Sequence, residues 1–310
     1  LVKPKDLIET LGLTRHITRP YLPQDYKHDT GPYTIEQVVH VEASWHHSKG
    51  KGVVEETQFI ESLAFGVDTV KLGGIVATAD PRDRNFKKIL KLHHKASPHF
   101  RGIRKMASFH EDKQIHAWTD EPQLYRNKKF LKGFEVLSQY NLSFDAWVYS
   151  TQLEDVIYLA KQFPETSIVL DHLGTPAGLF GPIGANTGMT QTARENIFFR
   201  WKDDLAELAS CPNVYTKMSG LFMPVLGHRF HKEGRLASKQ EVFDLAHPMI
   251  THALACFGTY RVMFASNFPM DSVSTSLINI IDALSDVVAA YDPDALKRVF
   301  HHNAKQFYRL

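Results

Sequence analysis

Ile168-Val169-Leu170-Asp171-His172-Leu173-Gly174-Thr175-Pro176 begins as an apolar run of strand type and ends on a histidine, a glycine and a proline. A strand buried on both faces reads as a continuous apolar run. A histidine expected at the last strand position therefore sits at the rim of a sheet, where loops begin and function concentrates. The question the rest of the chain has to answer is what His172 works with.

Outward from this stretch the same unit recurs, a strand followed by a helix. Towards the N-terminus, Val38–Ser44, Gly73–Asp80, Arg101–Ala107 and Ser143–Val148 read as strands. Helical patterns follow at Val54–Phe65, at Lys129–Tyr140 and between Thr151 and Phe163. One more helix is marked by Phe86, Ile89, Leu90 and His93 at i, i+3, i+4, i+7. Thr151-Gln152-Leu153-Glu154 has the spacing of a capping box. Towards the C-terminus come a Gly- and Pro-rich loop from Gly174 to Gly188, a helix over Arg194–Ser210, strands at Val214–Gly220 and Val262–Phe268, and closing helices. Strand-then-helix repetition argues for a parallel sheet with crossover helices. Seven units are counted, whereas the commonest parallel barrel closes with eight. Either the sheet is open, or a first strand lies at or before Leu1. GxGxxG and GxxxxGK are both absent, which removes the dinucleotide and P-loop readings. No linker splits the chain, so residues 1–310 are expected to form a single domain.

Composition narrows the class. With 43% hydrophobic and 23% charged residues, the 310-residue chain has the balance of a globular protein with a sizeable core. A formal charge of +2 gives no argument for nucleic acid as a partner. No apolar run approaches the roughly 18 residues of a membrane span. Cys211 and Cys256 form no CxxC pair, so reduced thiols and a cytoplasmic setting are expected. HExxH and GxSxG are absent, and neither cysteine carries the signature of a nucleophile.

In a parallel barrel, chemistry gathers at the C-terminal ends of the strands. Those ends carry Glu42 with Trp45 and His46, Asp80, Arg104, Asp145 with Tyr149, His172, Ser219, and Asn267 with Asp271. Asp80, before Pro81, reads as a turn or cap residue. Arg104 inside a strand needs an anionic partner, and a substrate carboxylate is one candidate.

Several of these segments resemble the amidohydrolase-related (amidohydrolase 2) family of TIM-barrel metal-dependent hydrolases, in its lactonase-like branch. They are Arg19–Tyr26, Val39–Ala43, Phe100–Arg104, Ile168–Gly174, Lys217–Gly220, Met263–Pro269 and Asn303–Tyr308. The resemblance implies a (β/α)8 TIM barrel whose first strand, carrying a His-x-His pair, would lie at or before the recorded start. It places His172 at the family's sixth-strand histidine and Asn267 where the eighth-strand Asp is expected. A neutral amide cannot act as a base at ordinary pH. The implied cofactor is thus one divalent metal such as zinc, or none, with His172 as the metal ligand present. The implied activity is hydrolysis of a small cyclic ester, a sugar-acid or dicarboxylate lactone. The alternatives are decarboxylation of a small aromatic or unsaturated acid, or a ligand-binding barrel with impaired catalysis. His172, Asn267 and Asp271 are the expected catalytic residues. Arg104, Glu42, Trp45, His46, Asp145, Tyr149 and Ser219 are expected to contact a small, carboxylate-bearing substrate. A homo-oligomer is left open.

Overall fold

The structure is a computed structural model that describes residues 10–12, 14–45 and 49–310. Seven strands form one sheet in chain order: β1 (Gln37–Val41), β2 (Lys71–Thr78), β3 (Phe100–Arg104), β4 (Ser143–Ala146), β5 (Ile168–Leu170), β6 (Val214–Met218) and β7 (Val262–Phe264). Every neighbouring pair is parallel, and the sheet curls as a TIM-type half-barrel with helices between its strands. Among the described residues β1 and β7 do not pair. His46 and the recorded start, where a first strand was expected, lie outside the described residues.

Register explains how one short motif decides so much. Ile103, Phe144, Ile168 and Val214 are aligned across four strands, and all four are buried in the larger core under the helices. Because strand side chains alternate in direction, the next residues form the opposite face. Val76, Val169 and Met263 pack there with Phe307 and Tyr308 of the C-terminal helix Asn303–Tyr308. Arg104, Asp145, Asp171 and Lys217 continue that inner face towards the mouth. The helix Phe86–Ala96 buries Phe86, Ile89, Leu90 and His93, the four positions its periodicity selected.

Three local expectations need correction. β5 stops at Leu170, so His172 stands beyond the strand, in a turn. The segment expected as one helix over 129–140 is two, Lys128–Phe134 and Val136–Gln139. Thr151 caps nothing. The helix begins at Leu153 after a short 3-10 turn, because Gln152 turns its side chain inward. Its amide oxygen accepts from Phe109 N at 2.8 Å, and its amide nitrogen donates to the carbonyls of Ala107 and Pro122.

Candidate active site

The turn after β5 has the longest run of left-handed backbone among the described residues. His172, Leu173, Gly174 and Thr175 all have positive φ, at 56°, 50°, 76° and 41°. For the three that carry a Cβ, the left-handed region costs about 1–2 kcal/mol each. Such strain persists only where surrounding contacts over-determine it. Here the Asp171 carboxylate is gripped on both oxygens, by Arg104 Nη1 at 3.2 Å and Lys217 Nζ at 2.8 Å. Trp201 Nε1 donates to the Leu173 carbonyl at 2.7 Å, and Trp147 Nε1 donates to Thr175 Oγ1 at 3.0 Å.

That turn delivers the imidazole of His172 against three neighbours. Its Nδ1 lies 2.8 Å from Ser219 Oγ, and the Trp147 ring meets it edge-on with centroids 5.6 Å apart. Gly220 fills the third side. A Cβ there would come within 2.5 Å of the histidine Cγ, and φ is +63°, so two separate reasons require glycine. Burial pushes the His172 pKa down to about 4. Arg104 and Lys217 push the same way against Asp171, so the ring is neutral at neutral pH. Nε2 makes no hydrogen bond with a described residue.

On its far side Gly220 adjoins an acid–amide pair. Asn267, itself at φ 52°, donates its side-chain amide to Asp271 Oδ1 at 2.8 Å. Asp271 is 1% exposed, and burial pushes its pKa up to about 8, although the Asn267 amide and the backbone of Phe222 and Gly220 pull it back down. Near pH 7 this carboxyl is mostly protonated, a donor rather than a base.

Beneath them lies a buried charge network. Arg104 donates from Nε to Glu42 Oε1 at 2.8 Å and from Nη2 to the Glu42 carbonyl at 2.6 Å. Lys217 Nζ bridges Asp171 and Asp145, the latter at 2.5 Å, and the Tyr308 hydroxyl donates to Asp145 Oδ2 at 2.9 Å. Three carboxylates thus face two cations. Asp171 is held down at about 2, burial outweighed by Lys217 and Arg104 together, while Asp145 rises to about 6 through burial. Of these two aspartates, Asp145 is the first to take up a proton as pH falls.

The structure therefore brings His172, Ser219, Asn267 and Asp271 together around Gly220. It uses Glu42, Asp145 and Arg104 differently from expectation, as the ion-paired floor beneath that group. Arg104 spends all three nitrogens on protein acceptors, so it is not a free clamp for a substrate carboxylate. Trp45 Nε1 donates to Glu55 at 3.2 Å. Tyr149 is fully buried, its hydroxyl donating to the His116 carbonyl at 2.7 Å. Asp80 is a turn residue, accepting from Arg82 N at 2.9 Å. Reading strand ends missed Asp171, Lys217, Trp147 and Gly220. The parity signal was available for Lys217, two residues before Ser219 on the same face.

Among the described residues, the donors do not make up a catalytic metal site. His172 keeps Nε2 open, but Asp271 is held by Asn267, and Glu42, Asp145 and Asp171 are committed to Arg104 and Lys217, so no second side chain among these is left uncommitted beside it. Among the described residues no three His, Cys, Asp or Glu side chains are placed to share an ion.

Comparison with known proteins agrees with this architecture. An uncharacterized protein, y4mH, from Sinorhizobium fredii is 30% identical over 297 residues, covering 95% of this chain and 87% of that protein. An L-fucono-1,5-lactonase from Burkholderia ambifaria is 28% identical over 219 residues, 69% of this chain and 62% of the lactonase. A crystal structure of a Burkholderia multivorans amidohydrolase with bound zinc superposes with a TM-score of 0.74 at 20% identity, covering 95% of this chain and 90% of that one. The amidohydrolase family model matches residues 20–310, and the chain belongs to the amidohydrolase family.

Proposed function

We propose that the protein hydrolyses a small cyclic ester, a sugar-acid lactone, with His172 as general base. The observation that carries this reading is the imidazole itself. It is neutral and buried, anchored through Nδ1 by Ser219, and its Nε2 is left without a partner among the described residues. With Nδ1–H donated to the serine hydroxyl, Nε2 is the acceptor that a water molecule meets. Nε2 takes a proton from the water as its oxygen bonds to the acyl carbon. The ring C–O bond then breaks, and the imidazolium returns the proton to the departing ring oxygen, leaving a hydroxy acid. Asp271 and Asn267, hydrogen-bonded to each other on the far side of Gly220, brace the backbone that holds the imidazole in place. Asn267 holds the Asp271 carboxyl in place rather than acting as a base. No step requires a metal.

The 28% identity to an L-fucono-1,5-lactonase supports a lactone as the substrate class. Proton release from a panel of sugar-acid 1,5-lactones and 1,4-lactones tests it, with turnover expected for at least one. Absence of turnover across the panel, or CO2 release from aromatic acids in its place, would overturn the reading.

A further inference from the structure

Behind the turn that carries His172 lies a cleft of about 230 Å³ that none of His172, Ser219, Asn267 or Asp271 lines. Its floor comprises Tyr149, Trp201 and Ala177, and its rim includes Ser150, Asn196 and Arg200. The floor is rigid, because Tyr149 and Trp201 are buried and each donates to a backbone carbonyl, of His116 and Leu173 respectively. The rim is different. Ser150 Oγ, the Asn196 amide and the Arg200 guanidinium make no side-chain hydrogen bond with a described residue. Arg200 meets Asp204 through Nε at 3.7 Å, and its terminal nitrogens make no hydrogen bond with a described residue, which leaves that edge open.

We propose that this cleft binds a small monocarboxylate with a flat apolar body, separately from the mouth of the barrel. The open edge of a guanidinium matches a carboxylate bidentately. Asp204 already neutralises part of the arginine, which favours one negative charge over two. The rings of the floor favour a flat apolar face. The volume lies below the roughly 300 Å³ where drug-sized pockets begin, so the ligand is small. Ser150 and Asn196 supply donors beside the carboxylate. The site shares a loop with the reacting centre, since Ala177 lies five residues beyond His172, yet it needs no residue of that centre.

Isothermal titration of the full chain with benzoate tests the proposal, with benzamide as the neutral isostere. Single-site binding is expected, with benzamide weaker by about tenfold or more, a difference of about 1.4 kcal/mol. Arg200→Gln, which removes the charge, and Asn196→Trp, which plugs the rim, should each weaken benzoate by a similar factor. Both positions are exposed, and unchanged melting curves would show that the fold is intact. No saturable binding, equal affinity for benzamide, or full affinity in either variant would overturn the proposal. Retention in both variants would place the benzoate at the barrel mouth instead. Because no turnover is read, this result is independent of lactone hydrolysis.

Discussion

Gly220 has no chemistry of its own, yet it sets where the chemistry happens. It packs against the ring of His172 on one side and faces the Asp271 carboxyl with its backbone on the other. Gly220→Ala would place a methyl 2.5 Å from the histidine Cγ, at a φ that L-residues avoid. The imidazole must move. A displacement of about 1 Å can cost roughly 100-fold in rate, so kcat should fall by about that factor while circular dichroism stays unchanged. A variant with wild-type kcat would show that the ring position does not matter. His172 itself could be read from sequence as the polar end of an apolar strand. Its conformation could not, because four consecutive positive-φ residues are held by partners more than twenty residues distant: Arg104, Trp147, Trp201 and Lys217.

At the scale of elements, the loops that follow β5 and β6 are joined to each other. The loop after β5 donates from Gly178 N to the Val225 carbonyl at 2.9 Å and from Phe180 N to the Leu226 carbonyl at 2.7 Å. Its far end is tied down by one carboxylate. Asp112 Oδ2 accepts from Ala185 N and Asn186 N, both at 2.8 Å, and from Thr187 Oγ1 at 3.2 Å. Burial, the largest single influence, raises the Asp112 pKa, but those bonds together with one from Gln114 N outweigh it and hold it below its usual range. Asp112→Ala should therefore free the loop locally without unfolding the sheet. Amide exchange at Ala185 and Asn186 should speed up by about tenfold or more, the equivalent of about 1.4 kcal/mol. Exchange as slow as in the parent would mean that the loop is held elsewhere. Sequence marked this stretch correctly as a Gly- and Pro-rich loop. It gave no sign of the tie to Asp112, because a pairing across more than seventy residues leaves no periodic trace. The strands were legible for the opposite reason: their apolar runs record burial on both faces directly.

The whole molecule carries several buried groups in unusual charge states, and together they set its pH optimum for stability. His93, His172 and His228 are pushed down to about 4, about 4 and about 3, in each case mainly by burial. Unfolded histidines titrate near 6.5. Below that pH the unfolded chain takes up protons that the folded one excludes, so stability falls with acid by up to about 1.4 kcal/mol per histidine per pH unit. Asp271 and Asp145, raised by burial to about 8 and about 6, act in the opposite sense. The folded state keeps protons that the unfolded chain releases above about 3.9, so each weakens the fold as pH rises towards its own value. Below pH 6 three histidines outweigh two carboxyls. As pH rises past 6.5 the histidine contribution fades, and Asp271 becomes the largest of these five influences. Thermal melts should accordingly peak near pH 6.5 and decline on both sides; a melting temperature that keeps rising from pH 6.5 to 8 would contradict this balance. The overall architecture was the most legible level of all, since seven strand–helix units in order admit few folds. The ion-paired floor was the least, because its members come from β3, β4, β6, the ends of β1 and β5, and the C-terminal helix. The central claim, that His172 is the base of a cyclic-ester hydrolase, is tested most directly by comparing the parent with His172→Asn on a lactone that the parent turns over. General-base catalysis contributes about 10²–10⁴-fold. The predicted result is a fall in kcat within that range with KM nearly unchanged, whereas a kcat within a few-fold of the parent would contradict the assignment.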